Sequence, residues 1–266
     1  RTIIDAGGAS LDLTSIPRTA TTWFAGVAEN LQSRCGIDCS QTLIPLMPMA
    51  NVTIGGIPTD AIGQVVKGGW DSTVKGLFAA GDAACSGLHG ASLNSGDHLL
   101  GAIASGELAG NAAANQAASS KFSGSSQISI ALTEAHHLHD SMLSSAGAEG
   151  VSAGTIQSTL ATTMQTHMGT SRNAGGLTQA AASISQLQET TISLSDSSPV
   201  MNTELVTLLR TQSLLSVASA AVSAATAREE SRGNHVRSDF PTTDTEPPSH
   251  SLTSMDGTVT SLPLRS

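Results

Sequence analysis

The sequence predicts an α/β region that is followed by an all-α helical region and an extended C-terminal tail. Short apolar runs separated by turns rich in Gly and Pro fill residues 1–118, which is typical of an α/β domain. Apolar residues recur at helical spacing over residues 127–240. Residues 241–266 are polar and contain proline, and residues 119–126, SSKFSGSS, have the composition of a linker.

The composition narrows the classes of function. Apolar residues make up 39% of the 266-residue chain, enough for a core, although aromatic residues are only 2%. The net charge of −9 argues against a nucleic-acid or acidic-membrane partner. Three cysteines cannot form a full disulfide set, and Cys35 and Cys39 lack the second pair that a zinc site needs, so no metal is expected. No apolar run is long enough to span a bilayer, and the nearest case, residues 214–227, contains Ser and Thr.

Residues 1–66 predict short elements with irregular connections. Pro45 and Pro48 interrupt an otherwise buried strand pattern, which suits a segment lining a site. The predicted elements are strands at 3–4 and 11–13, a helix over 23–31, an irregular strand over 43–56 and a turn with a second strand over 57–66.

Residues 73–100 form the stretch around which the chain is organised, and they predict a strand, a tight turn and the start of a helix. The strand carries Val74, Leu77 and Phe78, and the small residues after it let a backbone approach a large ligand closely. Asp82, at the end of such a strand, can hydrogen-bond a ribose or ribitol hydroxyl. A Gly- and Ser-rich turn then opens a helix over residues 99–118, on which Leu100, Ile103, Ala104 and Leu108 share one face.

The second half predicts a helical bundle. Asn202 is the expected N-cap of the last helix, with Glu204 in its first turn, and Gly233 is expected to end that helix. His136, His137 and His139 lack the surrounding pattern of a metal site and are expected to be solvated or capping residues. The predicted packing positions are Ile128, Leu132, Ala135 and His139; Ile156, Leu160, Met164 and Met168; Leu177, Ala181, Ile184 and Leu187; and Leu205, Leu208, Leu215, Ala218 and Val222.

Several motifs, in order along the chain, resemble the succinate dehydrogenase/fumarate reductase flavoprotein family. Residues 44–48 read IPLMP and residues 55–59 read GGIPT, similar to the family's IPVLP and GGIPT. Residues 63–65 (GQV), 202–205 (NTEL) and 231–241 (SRGNHVRSDFP) match later segments, and the last favours succinate dehydrogenase over the related L-aspartate oxidases.

The resemblance implies an α/β portion of an FAD-binding domain, with FAD held by Gly81, Asp82, Ser95, Leu99 and Leu100. The Rossmann unit with its G-x-G-x-x-G, which the family places upstream, does not occur in these residues, so the chain corresponds to the C-terminal half only.

Asp97 and His98 stand where the family has Asn and Ser at the helix start. An Asp there suits the helix dipole but repels an anionic reduced flavin.

The resemblance also implies a weakened dicarboxylate site. Asn51 stands where the family has a His, and Leu93 where it has an Arg, whereas His89 is retained as a substrate-binding candidate. Losing a buried Arg–carboxylate contact costs about 3–5 kcal/mol. Arg228, Arg232, His235 and Arg237 belong to the last matching motif, and a structural ion-pair role is favoured for them.

These features favour a catalytically degenerate, structural subunit of a respiratory complex II. The alternatives are the working half of a split succinate dehydrogenase and a flavin oxidoreductase with a less anionic substrate. The implied partners are an N-terminal half or a full-length flavoprotein, an iron–sulfur subunit and, indirectly, membrane anchor subunits. The implied location is the matrix side of the mitochondrial inner membrane, or the cytoplasmic side of a bacterial inner membrane.

Overall fold

The computed structural model describes residues 9–16, 25–47, 49–50, 52–94, 96–121, 124–144, 146–244 and 247–264. The chain divides into two units, Arg1–Ala50 and Asn51–Ser266. In the first unit, strand β1 (Ala9–Leu11) pairs antiparallel with β2 (Ile44–Leu46), and helix α1 (Ala25–Cys35) lies between them in sequence. β1 overlaps the strand predicted at 11–13 only at Leu11, and β2 covers three residues of the irregular strand predicted over 43–56. The strand predicted at 3–4 lies outside the described residues.

The second unit begins with short strands and one long helix. β3 (Ile57–Pro58) pairs parallel with β6 (Ala84–Cys85), and β4 (Gln64–Val66) pairs antiparallel with β5 (Thr73–Phe78). A 3₁₀ turn, Gly81–Ala83, joins β5 to β6. Helix α2 (Asp97–Ser119) follows and packs on this turn.

Helix α2 packs through its small residues and not through the predicted apolar face. Ala109 is buried, whereas Leu100, Ile103 and Leu108 are exposed. The residues for which the sequence predicts a shared face are therefore exposed to solvent. Small side chains allow the close approach to the turn that the sequence predicts, and the large ones point away from it.

Where the structure describes it, the helical region contains four helices and two short strands. They are α3 (Ser125–Ser144), β7 (Val151–Ser152), α4 (Ala153–His167), α5 (Ala174–Glu189), β8 (Ile192–Ser193) and α6 (Thr203–Ala227). β7 and β8 pair in parallel. Residues 120–124 connect α2 to α3, so the linker is shorter than the predicted 119–126.

The core of this region lies between α4, α5 and α6, and it confirms the predicted helical spacing. Its members are Ile156, Leu160, Ala180, Ile184, Leu215, Ala218 and Val222, with Met164, Met168, Leu187 and Ile192 packed against them. Ala180 fills the position predicted for Ala181, which is exposed. Helix α3 has no buried residue, so the predicted packing of Ile128 and Leu132 is wrong. Only its end contributes, through Met142 and Leu143.

Helix α6 has the length and apolar character that a membrane span would need, yet it is the central helix of this bundle. Seven of its side chains are buried: Leu205, Leu208, Thr211, Leu215, Ala218, Val222 and Ala225. Asn202 caps its start as predicted, because its side chain accepts a hydrogen bond from the Leu205 amide at 2.8 Å. The helix ends at Ala227 and not at Gly233, which lies in a later turn with φ +57°.

Residues 249–263 form a hairpin where the sequence predicts an extended tail. β9 (Ser249–Thr253) pairs antiparallel with β10 (Val259–Pro263), and the hairpin packs against α6. The turn between the strands contains Asp256 and Gly257, and the Gly257 amide bonds to the Ser254 carbonyl. These strands contain alternating Ser and Thr and few large apolar residues, so the apolar pattern of the sequence does not predict them.

Candidate functional site

The Gly81–Ala83 turn lies against helix α2. Gly81 has φ +62°, a left-handed conformation that favours glycine, and its amide donates to the Ser105 hydroxyl at 3.0 Å. A Cβ at Gly81 would lie 3.4 Å from the Ala102 Cβ, so turn and helix are in contact. The Asp82 side chain is exposed at this turn and is free to accept a hydroxyl.

Two glycines allow the strands around this turn to pack closely. Gly56 has φ +143°, and a Cβ there would lie 2.6 Å from the Ala83 carbonyl oxygen. Gly63 is buried, and its Cβ would lie 2.5 Å from the Ala109 Cβ of α2. These two close contacts hold the segment around the Gly81–Ala83 turn between β3 and α2.

The start of α2 is exposed. Gly96 precedes the helix with φ +92°, and among the described residues no side chain caps its first turn. Asp97 lies in that turn, where the helix dipole favours a negative charge. Leu99 and Leu100 are 63% and 69% exposed, which leaves an apolar edge beside the helix N-terminus. Ser95, the remaining predicted cofactor residue, lies outside the described residues.

His89 packs on the same end of α2. A Cβ at Gly101 would lie 3.1 Å from the His89 Nε2, so the half-buried imidazole rests on the helix where a side chain is missing. Leu93 is half-buried in the loop that follows. Asn51, the other predicted substrate position, lies outside the described residues.

The structure therefore brings Gly81, His89, Leu99 and Leu100 to the first turns of one helix. The sequence did not indicate Gly101, on which the His89 imidazole packs, or Ser105, whose hydroxyl accepts a hydrogen bond from the Gly81 amide. Their spacing of one helical turn, on a helix rich in small residues, is the signal that could have identified them.

The predicted ion-pair role of the C-terminal arginines is confirmed. Arg237 is only 2% exposed; it forms two hydrogen bonds of 2.8 Å with Asp239 and donates to the carbonyls of Ala225 and Arg228 at 3.1 and 3.2 Å. A cation at the carboxyl end of α6 satisfies its last carbonyl groups. Arg237, and not Gly233, therefore completes this helix end. The guanidinium also holds the pKa of Asp239 well below its ordinary value.

Glu230 is buried between two arginines. It accepts hydrogen bonds from Arg228 at 2.6 Å and from Arg232 at 2.9 Å, and also from the Asp244 amide. Burial raises the pKa of this carboxyl, but Arg232, Arg228 and the amide outweigh burial and lower the pKa to about 2. The carboxylate is thus charged at any physiological pH.

His235 is neutral, and its tautomer follows from its neighbours. Arg172 donates to its Nδ1 at 2.9 Å, and because a guanidinium can only donate, the ring proton is on Nε2, which donates to the Arg228 carbonyl at 3.2 Å. Burial, with Arg172, Arg228 and Arg237 nearby, lowers the pKa of His235 below 6.5. Arg172 was not identified from the sequence, since it lies far from the motif in which its partner occurs.

Within the described residues, no group of three or more His, Cys, Asp or Glu side chains could hold a metal ion. His139 lies 3.2 Å from Asp140, and its neighbours His136 and His137 are exposed on α3.

The chain is similar to known flavoproteins in sequence. Residues 4–99 match the family profile described as FAD binding domain, and residues 157–263 match that described as Fumarate reductase flavoprotein C-term. The fumarate reductase flavoprotein subunit of Mycobacterium tuberculosis is 36% identical over 216 residues, covering 79% of this chain and 36% of its own length. The succinate dehydrogenase flavoprotein subunit of Rickettsia bellii is 34% identical over 239 residues, covering 87% and 39%.

The fold is also similar to solved structures. A variant of the E. coli quinol fumarate reductase superposes with a TM-score of 0.83 at 26% identity, over 95% of this chain and 43% of that chain. The chain spans less than half of the length of the relatives that it matches. Its first part belongs to an FAD-binding domain and its second part to the C-terminal domain of these flavoproteins. The chain is a member of the succinate dehydrogenase/fumarate reductase flavoprotein family.

Proposed function

We propose that this chain is the C-terminal half of a complex II-type flavoprotein, that it forms one wall of an FAD site, and that its role there is structural. The observation that carries the structural role is Leu93. This half-buried apolar side chain stands where the family resemblance places a carboxylate-binding Arg. A hydrocarbon side chain cannot pair with a dicarboxylate, so substrate would be held weakly or not at all.

The described residues fit an FAD molecule. Gly81 lets the turn lie directly against α2, and the exposed Asp82 carboxylate of this turn can accept hydroxyl groups of the ribose or ribitol. The start of α2, with Leu99 and Leu100, would lie at the pyrimidine edge of the flavin, where backbone N–H groups attract negative charge. Bound FAD would supply the redox chemistry, and the chain would supply the shape and the donors of this wall.

This wall needs a partner. Four large apolar side chains of α2, Leu99, Leu100, Ile103 and Leu108, are each more than half exposed, and a partner surface would cover them. We propose that an upstream flavoprotein half or a full-length flavoprotein covers them. An iron–sulfur subunit and, indirectly, membrane anchor subunits complete the assembly at the mitochondrial inner membrane or a bacterial inner membrane.

A second candidate function is the working half of a split, FAD-dependent succinate dehydrogenase. It is favoured by the position of His89, which rests on Gly101 at the start of α2, near the Gly81 turn. In this case His89 would donate to a substrate carboxylate, residues other than those of the family motif would complete the substrate site, and the partner chain would supply the Rossmann unit and an Arg that delivers a proton.

The substitution Leu93→Arg in the native assembly tests the structural role. We expect that succinate bleaches no flavin bound to this chain, either before or after the substitution, because Asn51 also departs from the family. Leu88→Arg is the matched control, since it adds the same charge to an exposed position of the same loop. Bleaching in the unsubstituted assembly supports the second candidate, and bleaching only in Leu93→Arg shows that a single residue silences an otherwise working site.

A further inference from the structure

Residues 87–91, which carry His89, are contacted at their first residue by the C-terminal hairpin. Gly87 has φ +81°, and a Cβ there would lie 3.1 Å from both Cε1 and Nε2 of His250 on β9. The His250 ring meets Trp70 edge to face, with centroids 5.4 Å apart. Trp70 in turn donates from its indole to the Pro263 carbonyl on β10, at 2.7 Å. Trp70 thus contacts both strands of the hairpin, and the His250 imidazole packs against Gly87.

The last residue of the segment, Ala91, is contacted by the turn after α6. The Asn234 amide donates to the Ala91 carbonyl at 2.8 Å. Gly233, with φ +57°, passes so close that a Cβ there would lie 2.7 Å from the Ala91 carbonyl carbon. Only glycine allows this backbone contact, both for its conformation and for its lack of a side chain.

The hairpin and the turn that make these two contacts are linked by hydrogen bonds and ion pairs of Arg228, Glu230 and Arg232. Arg228 donates to the Ser249 carbonyl and to the Ser251 hydroxyl of the hairpin, at 2.7 and 3.0 Å. It also pairs with Glu230, which pairs with Arg232 in the turn that holds Ala91. The hairpin and the turn are therefore tied together by charge.

We propose that the hairpin and the turn of residues 232–235 clamp residues 87–91 at both ends and so position His89 against α2. His250, Gly233 and Asn234 are positioning residues in this account, and they act through the backbone of the clamped segment. The consequence for flavin rests on the proposed function, since the clamped segment lies beside the proposed flavin wall. The clamp itself does not depend on a ligand.

Hydrogen exchange of the native assembly measures the clamp directly. His250→Ala removes the ring from Gly87, and we expect amide exchange over residues 87–94 to become about tenfold faster while exchange in α4 to α6 stays unchanged. His250→Phe keeps an aromatic ring on Gly87 and Trp70, so it should restore exchange to within about twofold. Gly233→Ala should likewise accelerate amide exchange over residues 87–94, because its Cβ would overlap the Ala91 carbonyl group. Met255→Ala is the control, because its side chain is fully exposed at the hairpin tip.

A measurement of flavin release from the same variants distinguishes a failure of this proposal from a failure of the proposed function. We expect His250→Ala to release flavin from the native assembly several times faster, and His250→Phe to restore its retention. If exchange changes as expected but no flavin is found, the clamp stands and the proposed function fails. Unchanged exchange over residues 87–94 in His250→Ala overturns the clamp. Equal acceleration in residues 87–94 and α4 to α6 also overturns it, because the hairpin would then stabilise the whole fold and not this segment.

Discussion

At the scale of single residues, the C-terminal motif is a set of buried charges with a structural purpose. Arg237 is almost completely buried, and its guanidinium is shared between Asp239 and the last carbonyl groups of α6. A buried charge keeps its place only when its hydrogen bonds are satisfied. The motif therefore determines the backbone conformation after α6, and it does not determine which molecule the chain binds.

Removing this cation should destabilise the chain. We expect Arg237→Leu to lower the free energy of unfolding by roughly 3–5 kcal/mol, because Asp239 and the helix carbonyls lose their partner. Chemical denaturation of the full chain measures this loss. Arg210→Leu, on the exposed side of α6, is the control and should change stability by about 0.5 kcal/mol or less. Equal losses in the two variants would show that Arg237 does not hold the helix end.

His235 should make the stability depend on pH. Its pKa is below 6.5 in the folded chain, so the unfolded chain takes up a proton first as pH falls. The stabilisation is complete above pH 6.5 and is lost as pH falls through that value toward the folded pKa. Melting temperatures between pH 7 and pH 5 should fall, and fall less steeply in His235→Gln. The pKa of His250 is lowered too, by burial and by Arg228, so part of the slope should remain. An unchanged slope in the variant contradicts the neutral assignment of His235.

At the scale of elements, the proposed flavin wall consists of close backbone contacts. The Gly81 turn, β3 and α2 approach one another because Gly56, Gly63 and Ala109 are small. Such packing would give shape to the proposed site with little burial of apolar surface. It also makes the site sensitive to a single added methyl group.

Gly56→Ala tests this packing. The added Cβ would overlap the Ala83 carbonyl oxygen, and φ +143° is unfavourable for alanine, so we expect β3 and β6 to separate and the Gly81 turn to shift. The flavin content of the native assembly should fall several-fold. Gly69→Ala, where a Cβ would meet nothing within 4 Å, should keep its flavin. Full flavin content in Gly56→Ala would separate this turn from the flavin site.

At the scale of the whole molecule, the sequence predicts the helices and strands better than it predicts which residues contact one another. Helix spacing identified the core positions of α4, α5 and α6, because these helices bury one face on one another. It failed for Ile128 and Leu132, since periodicity shows that a helix has an apolar face but not what covers that face. It missed the hairpin because Ser and Thr alternate there in place of large residues. Family motifs predict Gly81 and His89 as site residues, whereas the roles of Ser105, Gly101 and His250 depend on contacts that no local sequence pattern contains.

The flavin stoichiometry of the native assembly, with and without succinate, tests the central claim most directly. The structural account predicts that this chain contributes to an FAD site in which succinate bleaches no flavin, or that the only succinate-reducible flavin belongs to a full-length flavoprotein in the same assembly. One succinate-bleachable FAD per copy of this chain, with no other flavoprotein present, would contradict it. That result would establish a split working enzyme whose substrate site is rebuilt without an Arg at position 93.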